Sequence, residues 1–187
     1  MNEYTCHSGG CPGSDITWER ECDKYEIYTI AYSFYNHKHD SNNPKVLTVE
    51  ELNEGWQAVL AAEKTLKRNV GRVIYPYVKN LLCRNWFQVK NSDAVFAIGK
   101  FVNRKIVSGG TGWAVQMAID NKKDVFLFDQ KENVWNKFNY ETMEFNEIDY
   151  IPTLTKNFAG VGTREINGHG INAIKKILEF NFKSNSY

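Results

Sequence analysis

No stretch of this 187-residue chain approaches the roughly 20 consecutive apolar residues that a membrane helix needs, so no membrane partner is expected. The amino terminus, "MNEYTCHSGG", lacks a basic segment followed by an apolar one. No signal peptide is read there, and a cytoplasmic location is expected. An excess of one charge is also missing: 23 Lys and Arg stand against 22 Asp and Glu, a formal +1. A general polyanion-binding surface is therefore not indicated, and nucleic acid is not the expected partner, although a local basic patch is compatible. There are four cysteines, Cys6, Cys11, Cys22 and Cys83, and no CxxC pair. Without a secretory signal they read as free thiols. Cys6, His7 and Cys11 lie close in sequence, but a fourth ligand would have to come from afar, and no metal is expected. No "GK[ST]" is present, and no clean GxGxxG with an acid about 20 residues on. A P-loop ATPase and an ordinary NAD dehydrogenase are disfavoured, and no cofactor is expected. Repeats of solenoid period and low-complexity tracts are absent.

What is present suggests one α/β domain over residues 1–187, long enough to bury a sizeable core. Aromatic residues make up 14%, enough for a core and for flat surfaces that stack on rings. "EYTCH" reads as a strand, and "SDITWERECDKYE" as a helix capped by Ser14 or Asp15. "IYTIAYSF" is β-branched and aromatic, as strands are. "NHKHDSNNPK" reads as a polar loop with His37 and His39 in solvent. Thr48 and Glu51 form a capping-box pattern ahead of a helix striped by Leu52, Trp56, Val59, Leu60 and Leu66. "YPYVKNLLCRNWFQVKNS" predicts a helix with Pro76 in its first turn. "AVFAIG" and "DVFLFDQ" read as strands around the helix "WAVQMAIDNK". "VWNKFNYETMEFNEI" reads as a small inserted hairpin turning near Glu141. "NFAGVG" and "GINAIKKILEFNF" close the series as strand and helix. This alternation predicts a Rossmann-like parallel sheet with helices on both faces, plus a small β-hairpin insertion.

Three glycine loops stand between a strand and a helix: "SGGCPGSD", "SGGTGW" and the turn after "AGVGTRE". In open α/β sheets ligands sit beyond the carboxyl ends of the strands. Glycine lets backbone approach a ligand, and a helix start offers N–H groups and a positive dipole end to a phosphate. Glycine also serves tight turns, so the weight lies in the recurrence.

"SGGCPGSD" resembles the "GGARGAD" loop of SLOG-type Rossmann-like proteins. That superfamily includes DNA-processing proteins, the lonely-guy nucleotide hydrolases and nucleotide-sensing domains of bacterial immunity. "SDAVFAIG" with "SGGTGWAVQMAI" resembles its apolar strand and GGxGT-type loop, and "FAGVGTREI" its first strand and "GSR" turn. That first segment here comes near the end, so the resemblance implies a circular permutation. Lonely-guy hydrolases carry a catalytic glutamate in PGGxGTxxE. Here Ser108 replaces the proline, Trp113 the threonine, and Val115 and Gln116 stand in the acidic region. No catalytic residue is therefore assigned, although Asp15, Asp129 or Glu165 can bring a carboxylate from another loop.

The resemblance implies a nucleotide-derived ligand, cyclic or of ADP-ribose type, bound by Ser8, Gly9, Gly10, Gly13, Asp15, Arg84, Asn85, Gln88, Ser108, Gly109, Gly110, Thr111, Gly112, Trp113, Thr163, Arg164 and Glu165. The glycines and Thr111 offer N–H groups. Arg164 pairs with a phosphate or, equally, with an acid such as Glu165. Trp113 stacks on a base or packs in the core. Arg84, Asn85 and Gln88 read a base or ribose, or brace their helix. Asp15 caps its helix or meets a ribose, and His169, between two glycines, reads as a turn residue. A stand-alone domain without the glutamate is expected to hold a signal away from an immune receptor, as proteins of bacterial viruses do. A nucleotide N-glycosidase or deoxyribosyltransferase-like hydrolase is the alternative, and a DNA-processing accessory protein a second. Isolated domains of this type often pair, which implies a homo-oligomer.

Overall fold

The computed structural model describes residues 3–70 and 75–183. The chain runs β1 (Thr5–Ser8), α1 (Ser14–Asp23), β2 (Tyr28–Ser33), β3 (Pro44–Val46), α2 (Val49–Leu66) and α3 (Pro76–Lys90). It continues with β4 (Ala94–Gly99), β5 (Phe101–Asn103), β6 (Ile106–Val107), α4 (Thr111–Asp120) and β7 (Asp124–Asp129). It ends with β8 (Val134–Asn139), β9 (Glu144–Glu147), β10 (Asn157–Gly162) and α5 (Gly168–Phe182). Eight strands form one sheet in the order β3-β2-β1-β10-β4-β7-β8-β9. Strands β3 through β7 in that order are parallel, and β8 and β9 extend the edge antiparallel. This is the Rossmann-like, mostly parallel α/β class.

The central strands are buried on both faces and so read as continuous apolar runs. Phe96 and Ile98 of β4 face one layer, where Trp18 and Cys22 of α1 meet Ile174, Ile177 and Leu178 of α5. Val95 and Ala97 face the other, against Val59 and Leu66 of α2, Leu82 and Val89 of α3, and Met117 of α4. Period-two alternation thus sends neighbouring residues to opposite cores. Helix α2 starts with the anticipated capping box. Glu51 N–H donates to Thr48 Oγ1 at 3.2 Å, and Thr48 N–H to Glu51 Oε2 at 2.8 Å.

The expected hairpin at 134–148 forms, and β8 pairs with β7, so it lengthens the main sheet. Two other expectations, on the loop at 36–45 and on the cap of α1, need correction. The small separate sheet is β5–β6, with Asn103 Oδ1 accepting from the N–H groups of Lys105 and Ile106 to make its turn. Strand β3 arises inside the expected loop. It is a fully exposed edge strand opened by Pro44, the position where a missing N–H costs least. Neither Ser14 nor Asp15 caps α1. The N-cap is Gly13, at φ +99°, and Ser14 turns its hydroxyl to the Thr163 carbonyl at 2.7 Å.

Helices α2 and α3 cross closely at Gly55, where a Cβ would press into the Cys83 carbonyl. Overpacking against backbone costs about 1–3 kcal/mol, and alanine returns about 1 kcal/mol over glycine in a helix. With backbone as the obstacle, Gly55→Ala is expected to lower stability by about 1–2 kcal/mol, read as an earlier denaturant midpoint at unchanged m-value.

Candidate functional site

The sheet splits its connections at its centre. The crossover from β1 passes through α1 on one face, and the helix after β4 is α4 on the other. Where such connections diverge, the strand ends leave a crevice. Here it is a cavity of about 560 Å³, lined by residues following β1, β4, β6 and β10 and by α3.

Helix α4 supplies the open wall. Ser108, Gly109, Gly110 and Thr111 line the cavity. A Cβ on Gly109 or Gly110 would meet nothing within 4 Å, so both backbones face open space. Gly109 sits at φ +63°, which favours glycine. Among the described residues, the N–H groups of Gly109, Gly110 and Thr111 take no acceptor. Gly112 and Trp113 lie behind this surface. Their N–H groups donate to the Ser108 and Gly110 carbonyls at 3.2 and 3.1 Å. The Trp113 ring is buried in the core, with the Arg68 guanidinium 5.8 Å from its centroid.

The first glycine loop is built differently. Arg84, from α3, lays its guanidinium over Gly9, in the space a side chain there would need. Its Nη1 donates to Gln88 Oε1 at 2.7 Å and its Nη2 to Cys11 Sγ at 3.0 Å, while Asp15 Oδ2 stands 3.5 Å from Nη2. Gly13 lets the Arg164 backbone approach, since a Cβ would stand 2.5 Å from the Arg164 carbonyl oxygen. Three amides of this loop find acceptors inside the protein. Gly10 N–H donates to Ser8 Oγ, Cys11 N–H to Asp15 Oδ2, and Ser14 N–H to the Thr163 carbonyl. Ser8 is buried and donates to Glu19 Oε1 at 2.6 Å. Ser8, Gly9, Gly10 and Gly13 therefore lie outside the lining, and the loop reaches the cavity through Cys11 and Asp15.

The remaining expected residues converge on the cavity: Arg84, Asn85 and Gln88 along α3, and Thr163, Arg164 and Glu165 after β10. Arg84 Nε and Gln88 Nε2 are buried and have no hydrogen-bond partner among the described residues. Burial raises the Asp15 pKa to about 6, against the opposing pull of Arg84. Near neutral pH the lining thus offers Lys100, Arg84 and Arg164 against Glu165 and a carboxylate that is costly to charge.

Sequence reasoning passed over Cys11, Lys100, and Val78 and Leu81 on α3. It also placed His37 in solvent. The ring is instead buried, stacked on Phe34 at 4.7 Å with Tyr77 at 6.4 Å, because the polar loop folds back over the end of the sheet. His39 is half-buried beside it. Cys6 and His7 point to opposite faces of β1: Cys6 joins the α1–α5 core, and His7 Nδ1 meets Tyr32 Oη at 3.1 Å. They do not converge with Cys11. Asp129 lies outside the cavity lining and accepts from Lys131 N–H at 2.9 Å. Val115 and Gln116 are buried, with Gln116 Nε2 donating to Asp120. His169 borders a separate cavity of about 310 Å³.

Fold and site together define a Rossmann-like α/β chain with a cavity, lined by charged and apolar residues together, at the divergence of its central strands. No family model matches it, and no curated protein does. Among solved structures, a chain from Syntrophus aciditrophicus provisionally named a molybdenum carrier protein is similar over 94% of this chain and 92% of that one. The identity is 12% and the TM-score 0.48. Among the described residues, no helix is long and apolar enough to cross a membrane.

Proposed function

We propose that this chain binds a nucleotide-derived small molecule in the cavity and holds it without chemical turnover. The observation that carries this reading is the open wall of α4, where three consecutive N–H groups find no acceptor among the described residues and share the cavity with Arg84, Lys100 and Arg164. A phosphate fits such a helix start, and Arg164 can grip it from the β10 side. The α3 wall, with Val78 and Leu81 beside Asn85, suits a base or ribose. We read the chain further as a permuted SLOG-type protein. Leaving aside the short edge strand β3, counting β10 as the first strand turns β2-β1-β10-β4-β7 into the Rossmann order 3-2-1-4-5. The biological role that follows is sequestration of an immune nucleotide signal.

One observation favours a second reading, an N-glycosidase. Asp15 lines the cavity with a pKa of about 6, in the range useful to a general acid or base. One experiment separates the two. A large excess of cyclic and ADP-ribose-derived nucleotides is incubated with the protein and followed by chromatography, and heat then releases whatever is bound. Intact ligand returned in fixed ratio to protein supports sequestration. Multiple turnovers lost in Asp15→Asn support the hydrolase, and absence of both binding and turnover overturns both readings.

Arg164→Ala is expected to weaken binding of a phosphorylated ligand by about 1.5–3 kcal/mol, the range for a charged hydrogen bond. Calorimetry with the dephosphorylated ligand should show a much smaller loss. Equal losses would assign Arg164 to structure.

A further inference from the structure

At the α1 end of the cavity, Cys11, His37 and Ser33 form a cluster to which the binding reading gives no role. Cys11 lines the cavity. Its Sγ lies 3.6 Å from His37 Nε2, 3.0 Å from Arg84 Nη2 and 3.8 Å from Arg164 Nη2. On the other side of the imidazole, Nδ1 stands 3.2 Å from Ser33 Oγ. Phe34 stacks on the ring. The ring is thus fixed by packing and by Ser33, with Nε2 directed at the sulfur. A thiol beside a base, with a third group orienting that base, is the arrangement of an activated nucleophile. Two guanidinium groups at the sulfur add what a lone buried cysteine lacks, namely positive charge where a thiolate would form.

We propose that Cys11 is a nucleophilic thiol served by His37 as base and Ser33 as positioning residue, and that it takes soft carbon electrophiles entering the cavity. The Cys11 proton passes to His37 Nε2 while Nδ1–H donates to Ser33 Oγ. The sulfur attacks the electrophilic carbon, an S–C bond forms, and the carbon's bond to its leaving group breaks. The leaving group departs with the electron pair, and His37 returns its proton to water. Burial, then Arg84, His39 and Arg164, bring the His37 pKa down to about 3, so the resting imidazole is neutral and a weak base until charge moves onto the sulfur. Negative charge growing on sulfur offsets the neighbouring arginines and so favours the imidazolium at the moment it forms.

The other cysteines are internal controls. Cys6, Cys22 and Cys83 are buried in the cores, and burial pushes the thiols of Cys6 and Cys83 up, the latter to about 11. The test uses the full chain and iodoacetamide near neutral pH, with peptide mass spectrometry over time. Cys11 is expected to be carbamidomethylated, with loss of iodide, at least about tenfold faster than the other three. Ser33→Ala and His37→Gln are each expected to slow Cys11 about tenfold while the other three cysteines keep their native rates. Faster labelling of those three would reveal loosening of the fold in that variant, and Ser33→Ala alone would then decide. Labelling of Cys11 no faster than the core cysteines, or unchanged in Ser33→Ala, overturns the proposal. Nucleotide binding is not needed for either outcome, so failure here leaves the binding reading standing, and the reverse holds.

Discussion

Gly110→Asp is expected to abolish nucleotide binding and to leave the fold intact. Gly110 has φ −62° and ψ −35°, which any residue adopts, and an added side chain meets only open space. A carboxylate at the start of α4 complements the helix dipole, so stability should hold or rise slightly. That same carboxylate occupies the place proposed for a phosphate. Like charges in contact cost several kcal/mol, or about 100-fold or more in affinity. Gly110→Ala is the control, with little added bulk and no charge. Calorimetry on both variants, with thermal melting beside it, checks the pair. Equal affinity in Gly110→Asp and the unaltered protein would place the ligand elsewhere.

The second large effect concerns stability. Arg84→Met should destabilise the protein by about 3 kcal/mol near neutral pH, the lower end for breaking a buried ion pair from one side. Arg84 and Asp15 are both almost fully buried, so Asp15 would keep its desolvation cost and lose its cation. The deficit should depend on pH. Without Arg84 the Asp15 pKa rises further above about 6, so the gap opens as pH rises through 6 and narrows as pH falls back to it. Asp15→Asn added to Arg84→Met should recover much of the loss at pH values above 6 and little below. Urea melts at several pH values check this. A deficit independent of pH would mean that Arg84 acts by filling space over Gly9.

How far each feature could be read from sequence depends on how local its cause is. The capping box at Thr48 and Glu51 is complete within four residues, and the runs "AVFAIG" and "DVFLFD" declare two-sided burial by themselves. The open wall of Ser108–Thr111 was legible for the same reason. The closure of Gly9 was not, because the group that fills it stands 75 positions away on α3. Likewise "NHKHDSNNPK" is polar in composition, and only the packing of Phe34 and Tyr77 takes His37 out of water. In sequence Cys11 reads only as one of four free thiols. Nothing adjacent in sequence foretells that Arg84, Arg164 and His37 meet at its sulfur. The β5–β6 turn did leave a trace, "NRK" between two apolar pairs, that a finer reading of turns can recover.

The position of β10 between β1 and β4 has a kinetic consequence. The middle strand of the sheet is its last in chain order, so β1–β2 and β4–β7 must wait for it as two unjoined pieces. Until residues 157–162 have been made, each piece presents a raw parallel edge, and the register that joins them is set only by pairs such as Cys6 with Phe158 and Val95 with Ala159. Cys6 and Phe158 lie far apart in the chain, so their pairing carries a large loop-closure entropy, which slows folding. The sheet is therefore expected to condense only after residues 157–162 have been made, and the interval before that to be the one most exposed to aggregation.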